Sequence, residues 1–150
     1  MRRLILLIIL CLPIVASAQT DHMTPLIKKY SAFNNCSTVV LSKEMLSQIS
    51  PTSGMESMQA ISVEDPTLLD ILRNDLEKFI DGYSLLMSVN SDGTNVEIYR
   101  VEQHYKSSKT GERESIDEIF IIAISKSEGV VIRLTGHNIA ISDATSLINI

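Results

Sequence analysis

The chain has 150 residues, 45% of them hydrophobic and 21% charged, with two Cys, six Gly, four Pro and no Trp. That balance excludes collagen-like, disulfide-framework and disordered classes, and the length fits one domain that buries a core without covalent staples. A formal net charge of −5 argues against nucleic acid or an anionic membrane as a partner held by bulk charge.

The first 18 residues read as an export leader. Met1-Arg2-Arg3 is a short cationic start, Leu4 to Val15 is apolar apart from Pro13, and Ala16-Ser17-Ala18 offers small residues ahead of Gln19. The pattern predicts a signal peptide over 1–18, cleavage after Ala18, and one α+β domain over 19–150 that is periplasmic or secreted. The apolar run is shorter than the roughly 20 residues a transmembrane helix needs, so no membrane span is expected after cleavage. A lipoprotein reading with Cys11 acylated fails because Leu10 stands where a small residue belongs. Losing Arg2 and Arg3 leaves 11 basic and 18 acidic residues, a net charge of −7. Cys36 is then the sole thiol, read as a small buried hydrophobe near a strand start, with an intermolecular link as the alternative. A nucleophilic role would need a base beside it, and the nearest His in sequence is His22.

In chain order, residues 19–23 read as a polar, frayed start. Thr24-Pro25 opens a helix with Leu26, Tyr30 and Phe33 at helical spacing, ended by Asn34-Asn35. A strand is expected over Ser37–Leu41. Ser42 caps a short helix in which Met45, Leu46 and Ile49 share a face, stopped by Pro51. The stretch 55–63 is ambiguous, with a short strand expected around Ala60–Val63.

Asp65 and Pro66 are N-cap and first helical residue of the clearest helix, and Gly82 sits where a left-handed residue ends it. Leu68, Leu72, Leu76, Phe79 and Ile80 form its apolar stripe. Tyr83 to Val89 alternates as a strand, broken only by Leu86. Asn90-Ser91-Asp92-Gly93 turns the chain into a second strand, Thr94–Glu102. A polar excursion follows over His104–Glu114. Ile116–Ser125 is apolar on both faces and is expected at the centre of the sheet. The turn Ser127-Glu128-Gly129 leads to a strand over Val130–Thr135, ended by Gly136, and Ser142 caps a closing helix with Ala144, Leu147 and Ile148. The order predicts an α+β fold: an antiparallel sheet of four to six strands with two to four helices packed mainly on one face.

Catalytic motifs are missing. There is no G-x-S-x-G, C-x-x-C, H-E-x-x-H, G-x-G-x-x-G or Walker loop, and the six Gly are isolated residues explicable by turns or helix ends. His104 reads as a loop residue, and His137, at a strand end, is the stronger imidazole candidate. The six carboxylates between Glu64 and Asp81 read as a solvated helix face. Asn90, Asp92 and Asn95 lack the EF-hand pattern and read as a turn. No catalytic residue, cofactor or metal ligand is assigned. The excursion from Arg100 to Arg113 contrasts with the acidic remainder. It carries Arg100, Tyr105, Lys106, Lys109 and Arg113, and reads either as a partner-docking loop or as a soluble cap over a sheet edge. Those five residues and His137 are the candidate partner contacts.

Several stretches resemble a known family: Lys29-Tyr30-Ser31, Thr38 through Leu46, Tyr83-Ser84-Leu85-Leu86-Met87, Val96-Glu97-Ile98-Tyr99, Ile116-Asp117-Glu118-Ile119 and Ile132-Arg133-Leu134-Thr135-Gly136. The family is a group of exported bacterial proteins catalogued as domain of unknown function 4252, and the resemblance covers most of 24–148. It implies a Gram-negative envelope protein of α+β fold and supplies no activity, cofactor or site. The chain departs from it at Pro51–Val63, where the family has a clearer apolar strand. The expected function is a non-enzymatic binding or interaction module with an envelope protein as partner and oligomeric state open. The alternatives are a hydrolase-type enzyme with a site near His137, or a component of envelope-stress sensing.

Overall fold

The computed structural model describes residues 23–49, 54–101, 118–139 and 142. In order they form α1 (Met23–Tyr30), β1 (Cys36–Leu41), α2 (Lys43–Ile49), β2 (Met55–Val63), α3 (Pro66–Ile80), β3 (Tyr83–Ser91), β4 (Thr94–Val101), β5 (Glu118–Ile124) and β6 (Gly129–Gly136). The six strands make one sheet in the order β1-β2-β6-β5-β4-β3, every neighbouring pair antiparallel. The α+β class, the strand number and the central place of β5 agree with the sequence expectation.

Local chemistry sets the element ends. The Asp65 carboxylate accepts from the amides of Thr67 (2.8 Å) and Leu68 (3.3 Å) and from Asn35 Nδ2 (3.1 Å), which fastens the α1–β1 loop to the start of α3. The Asn35 bond first, then those two amides, hold this carboxyl below its ordinary range. At the far end Gly82 takes φ +95°, as a residue just past a helix does. Asp92 and Gly93 both have positive φ between the paired Ser91 and Thr94, the requirement of a two-residue type I′ hairpin. The register of β3 against β4 shifts between Leu85 and Met87. The residue in that shift, Leu86, is the one that interrupted the alternation in sequence, and a bulge is its physical meaning.

Register and alternation place residues in rows. One face of the sheet carries the row Gln59, Arg133, Phe120, Tyr99 and Leu85; beside it run Ile61, Val131, Ile122, Glu97 and Ser88, then Val63, Gly129, Ile124, Asn95 and Asn90. Helix α3 lies diagonally over this face. It starts where Leu69 and Leu72 meet Gly129, and ends where Phe79 packs on Phe120 (ring centroids 4.6 Å) and Tyr83 (5.6 Å). Met23 and Tyr30 of α1 join the same core. Polarity follows the helix path. Apolar rows lie beneath α3, and the two corners it leaves carry Ser57, Gln59, Arg133, Thr135 and Glu118 on one side and Ser88, Asn90, Asn95 and Glu97 on the other. The opposite face holds a second core of Ile98, Ile119, Ile121, Ile132 and Leu134, joined by Leu46 of α2, Met55 and Ile139.

Several expectations change. Met23 begins α1 fully buried rather than lying in a frayed start, because it packs beneath the helix with Tyr30. In α2 only Leu46 is buried; Met45 and Ile49 stay exposed since a helix of about two turns beside an edge strand finds too little sheet for its apolar face. Leu69 replaces Leu68 in the fully buried stripe of α3. The ambiguous stretch is a nine-residue strand second from the edge. Ser57 and Gln59 obscured it in sequence because they face the polar corner. Gly129 is no turn residue: the turn is Ser125–Glu128, closed by Ser125 N–H to Glu128 O (2.8 Å), and Gly129 opens β6 under Leu69. The expected closing helix lies outside the described residues except Ser142, as do the leader and the polar excursion beyond Val101.

Candidate functional site

The polar corner under α1 is the first place to look for chemistry. Arg133 projects among uncharged strand neighbours and donates from Nε to Glu118 Oε1 (2.8 Å) and from Nη1 to Gln59 Oε1 (3.0 Å). Both charged side chains are nearly buried, at 11% and 13% exposure. Gln59 in turn donates to Thr24 Oγ1 of α1 (3.3 Å), and the Ser57 and Thr135 hydroxyls are hydrogen-bonded to each other. This network offsets its own charges and ties three strands to a helix. It reads as a structural device.

Tyr99 stands in the same row as Arg133 with Phe120 between them, two strand spacings or roughly 10 Å away. Its hydroxyl donates to Glu97 Oε2 (2.6 Å), and Asn95 Nδ2 donates to Glu97 Oε1 (3.2 Å). Burial first, then the Glu97 carboxylate, pushes the phenol up to about 12, so Tyr99 stays protonated at neutral pH and is no base. His137 follows β6 and is 82% exposed, with Nε2 3.4 Å from Glu56 Oε1, a carboxylate also 3.6 Å from Lys43 Nζ. Arg133, Tyr99 and His137 therefore face three separate carboxylates and do not converge.

Cys36 opens the edge strand, partly buried against the core around α3. Burial, aided by the Asp65 charge, pushes its thiol up, away from the thiolate that nucleophilic work requires. Arg100 lies within β4, opposite Ser84 and Ile119, rather than in a loop. Tyr105, Lys106, Lys109 and Arg113, like His22 and His104, lie outside the described residues. Among the described residues no group of three or more His, Cys, Asp or Glu is placed to hold a metal ion, and no helix is long and apolar enough to cross a membrane.

What sequence reasoning missed is apolar rather than reactive. Five large hydrophobic side chains within residues 33–49 face solvent: Phe33, Val39, Val40, Met45 and Ile49, with Val40 60% and Ile49 58% exposed. Val39 and Val40 point to opposite faces of β1, the outermost strand on its side of the sheet. In sequence the run Val39-Val40-Leu41 resembles a core strand, and nothing in it marks the strand as an edge.

Among the described residues, an open six-stranded antiparallel sheet with two of three helices on one face defines the class of protein. Over residues 30–147 the chain matches the family described as Domain of unknown function (DUF4252), and it belongs to that family. The match spans all six strands. No curated protein and no solved structure matches the chain.

Proposed function

We propose that this protein is an exported binding module of the bacterial envelope, and that it engages its partner through β1 and the adjoining helix α2. One observation carries the reading: a contiguous segment, Phe33 to Ile49, exposes five large apolar side chains on and beside a strand that ends the sheet among the described residues. Exposed apolar residues scattered singly need no explanation, but five of them on both faces of one edge strand, its preceding turn and its following helix mark that edge for interaction. The leader Met1–Ala18 supports delivery to the periplasm or beyond. A hydrolytic site at His137 draws no comparable support, since that imidazole meets solvent and an ion-paired carboxylate.

A photo-crosslinking residue at Val40, with Leu85 on the opposite edge as control, tests the surface in living cells. A discrete adduct at position 40 and none at position 85 is the expected result. Adducts that are equal at both positions, or absent at position 40, overturn it. Fractionation of the same cells tests the compartment, which requires a mature chain that begins at Gln19 outside the cytoplasm.

A further inference from the structure

The two edges of the sheet are managed differently. β3 carries a bulge at Leu85/Met87, which twists that edge and discourages strand addition even though Leu85 and Val89 are exposed on it. β1 has no bulge, and like β3 it carries neither Pro nor Lys. From Cys36 to Ser42 it bears no charged side chain, although the chain as a whole is strongly acidic.

We infer that β1 pairs antiparallel with β1 of a second copy of this chain, joining two sheets across a two-fold axis. This rests on the proposed binding surface and names its occupant. Two observations favour self-pairing, and a third sets its strength. The edge is neutral, so a basic partner finds no carboxylate there to choose it, whereas two copies meet without like charges in contact. The sequence around Val39 is self-complementary. With the axis at Val39, that residue faces its own copy, and Thr38 faces Val40 in both directions, giving β-branched pairs on each face. Lastly, one pair of six-residue strands covers less than the about 1,600 Å² of a standard interface. The association is therefore weak and concentration-dependent, which suits an edge that is apolar yet only six residues long.

Sedimentation of the exported chain over a wide concentration range tests the inference. The parent forms a reversible dimer. Val40→Lys raises the dimer dissociation constant about a hundredfold, as each copy loses a buried valine worth about tenfold, and its thermal unfolding stays that of the parent monomer. Added salt strengthens the dimer, because each acidic copy repels the other and the interface holds no ion pair for salt to weaken. In a Cys36→Ser background, Val39→Cys cross-links two copies on mild oxidation and Leu85→Cys does not. A dimer insensitive to Val40→Lys, or one dissolved by salt, overturns the inference. A chain that is monomeric throughout, while the position-40 crosslinker still captures a different envelope protein, overturns self-pairing and leaves the binding reading standing. Failure of both removes the two together.

Discussion

Asp75 shows how one side chain on a charged helix face becomes structural. Its carboxylate accepts from Lys29 Nζ (2.7 Å) and from the hydroxyl of fully buried Tyr30 (2.8 Å), locking α1 onto α3. Burial works to raise the Asp75 carboxyl, but the bonds from Lys29 and Tyr30, with the charges of Lys29 and Lys78, outweigh it and hold the group below the usual carboxylate range. A depressed folded value stabilises the protein above the unfolded value, near 4, and that contribution is lost as pH falls through the folded value. Urea melts across the acid range are expected to lose stability in that window, and Asp75→Asn flattens the slope there. Asp75→Ala strands the Tyr30 hydroxyl and costs about 1–3 kcal/mol. Nothing in the sequence separated Asp75 from Asp70 or Glu77; only the placement of α1 beside α3 does.

Two glycines differ for reasons of space. At Gly136 an added Cβ would stand 2.9 Å from Met55 Cα and closer still to the Gly54 carbonyl oxygen, both backbone atoms. At Gly129 the nearest atom is the end of the Leu69 side chain, which can turn aside. Gly136→Ala is expected to cost at least about 2 kcal/mol and Gly129→Ala about 1 kcal/mol, measured by chemical denaturation. Their sequence contexts look alike, a strand end and a strand start.

At the scale of elements, helix α3 was the most legible part of the chain. Asp65, Pro66 and Gly82 announce its ends through local chemistry, and local chemistry needs no knowledge of the fold. Strand β2 was the least legible. Its alternation is masked because one half of the strand faces the core and the other half the polar corner beside Arg133. That corner yields a test of its own. Arg133→Met alone leaves Glu118 buried without its partner and is expected to cost about 3 kcal/mol, whereas Arg133→Met with Glu118→Leu recovers most of the loss. A double-mutant cycle in urea measures the difference. Additive losses would mean that the pair carries no coupling.

For the whole molecule, the diagonal course of α3 explains which positions on its own face of the sheet are apolar. β2 and β3 run in the same direction with β6, β5 and β4 between them, so the connecting helix must cross the sheet from one corner to the other. The corners left over are the polar ones. The exported state is expected to be a chain that starts at Gln19, checked by intact mass, and a product that retains Met1 would remove the envelope from the proposed function.

The sequence by itself determined the kinds of elements apart from β2, the helix ends at Ser42, Asp65 and Gly82, the Asp92-Gly93 hairpin, the Leu86 irregularity and the family, because each is written in neighbouring residues or in pattern. Only the tertiary structure decided which strand is outermost. Alternation tells which residues share a face, but Val39-Val40-Leu41 reads the same whether a strand lies beside it or solvent does. Strand order alone turned that run from core into surface.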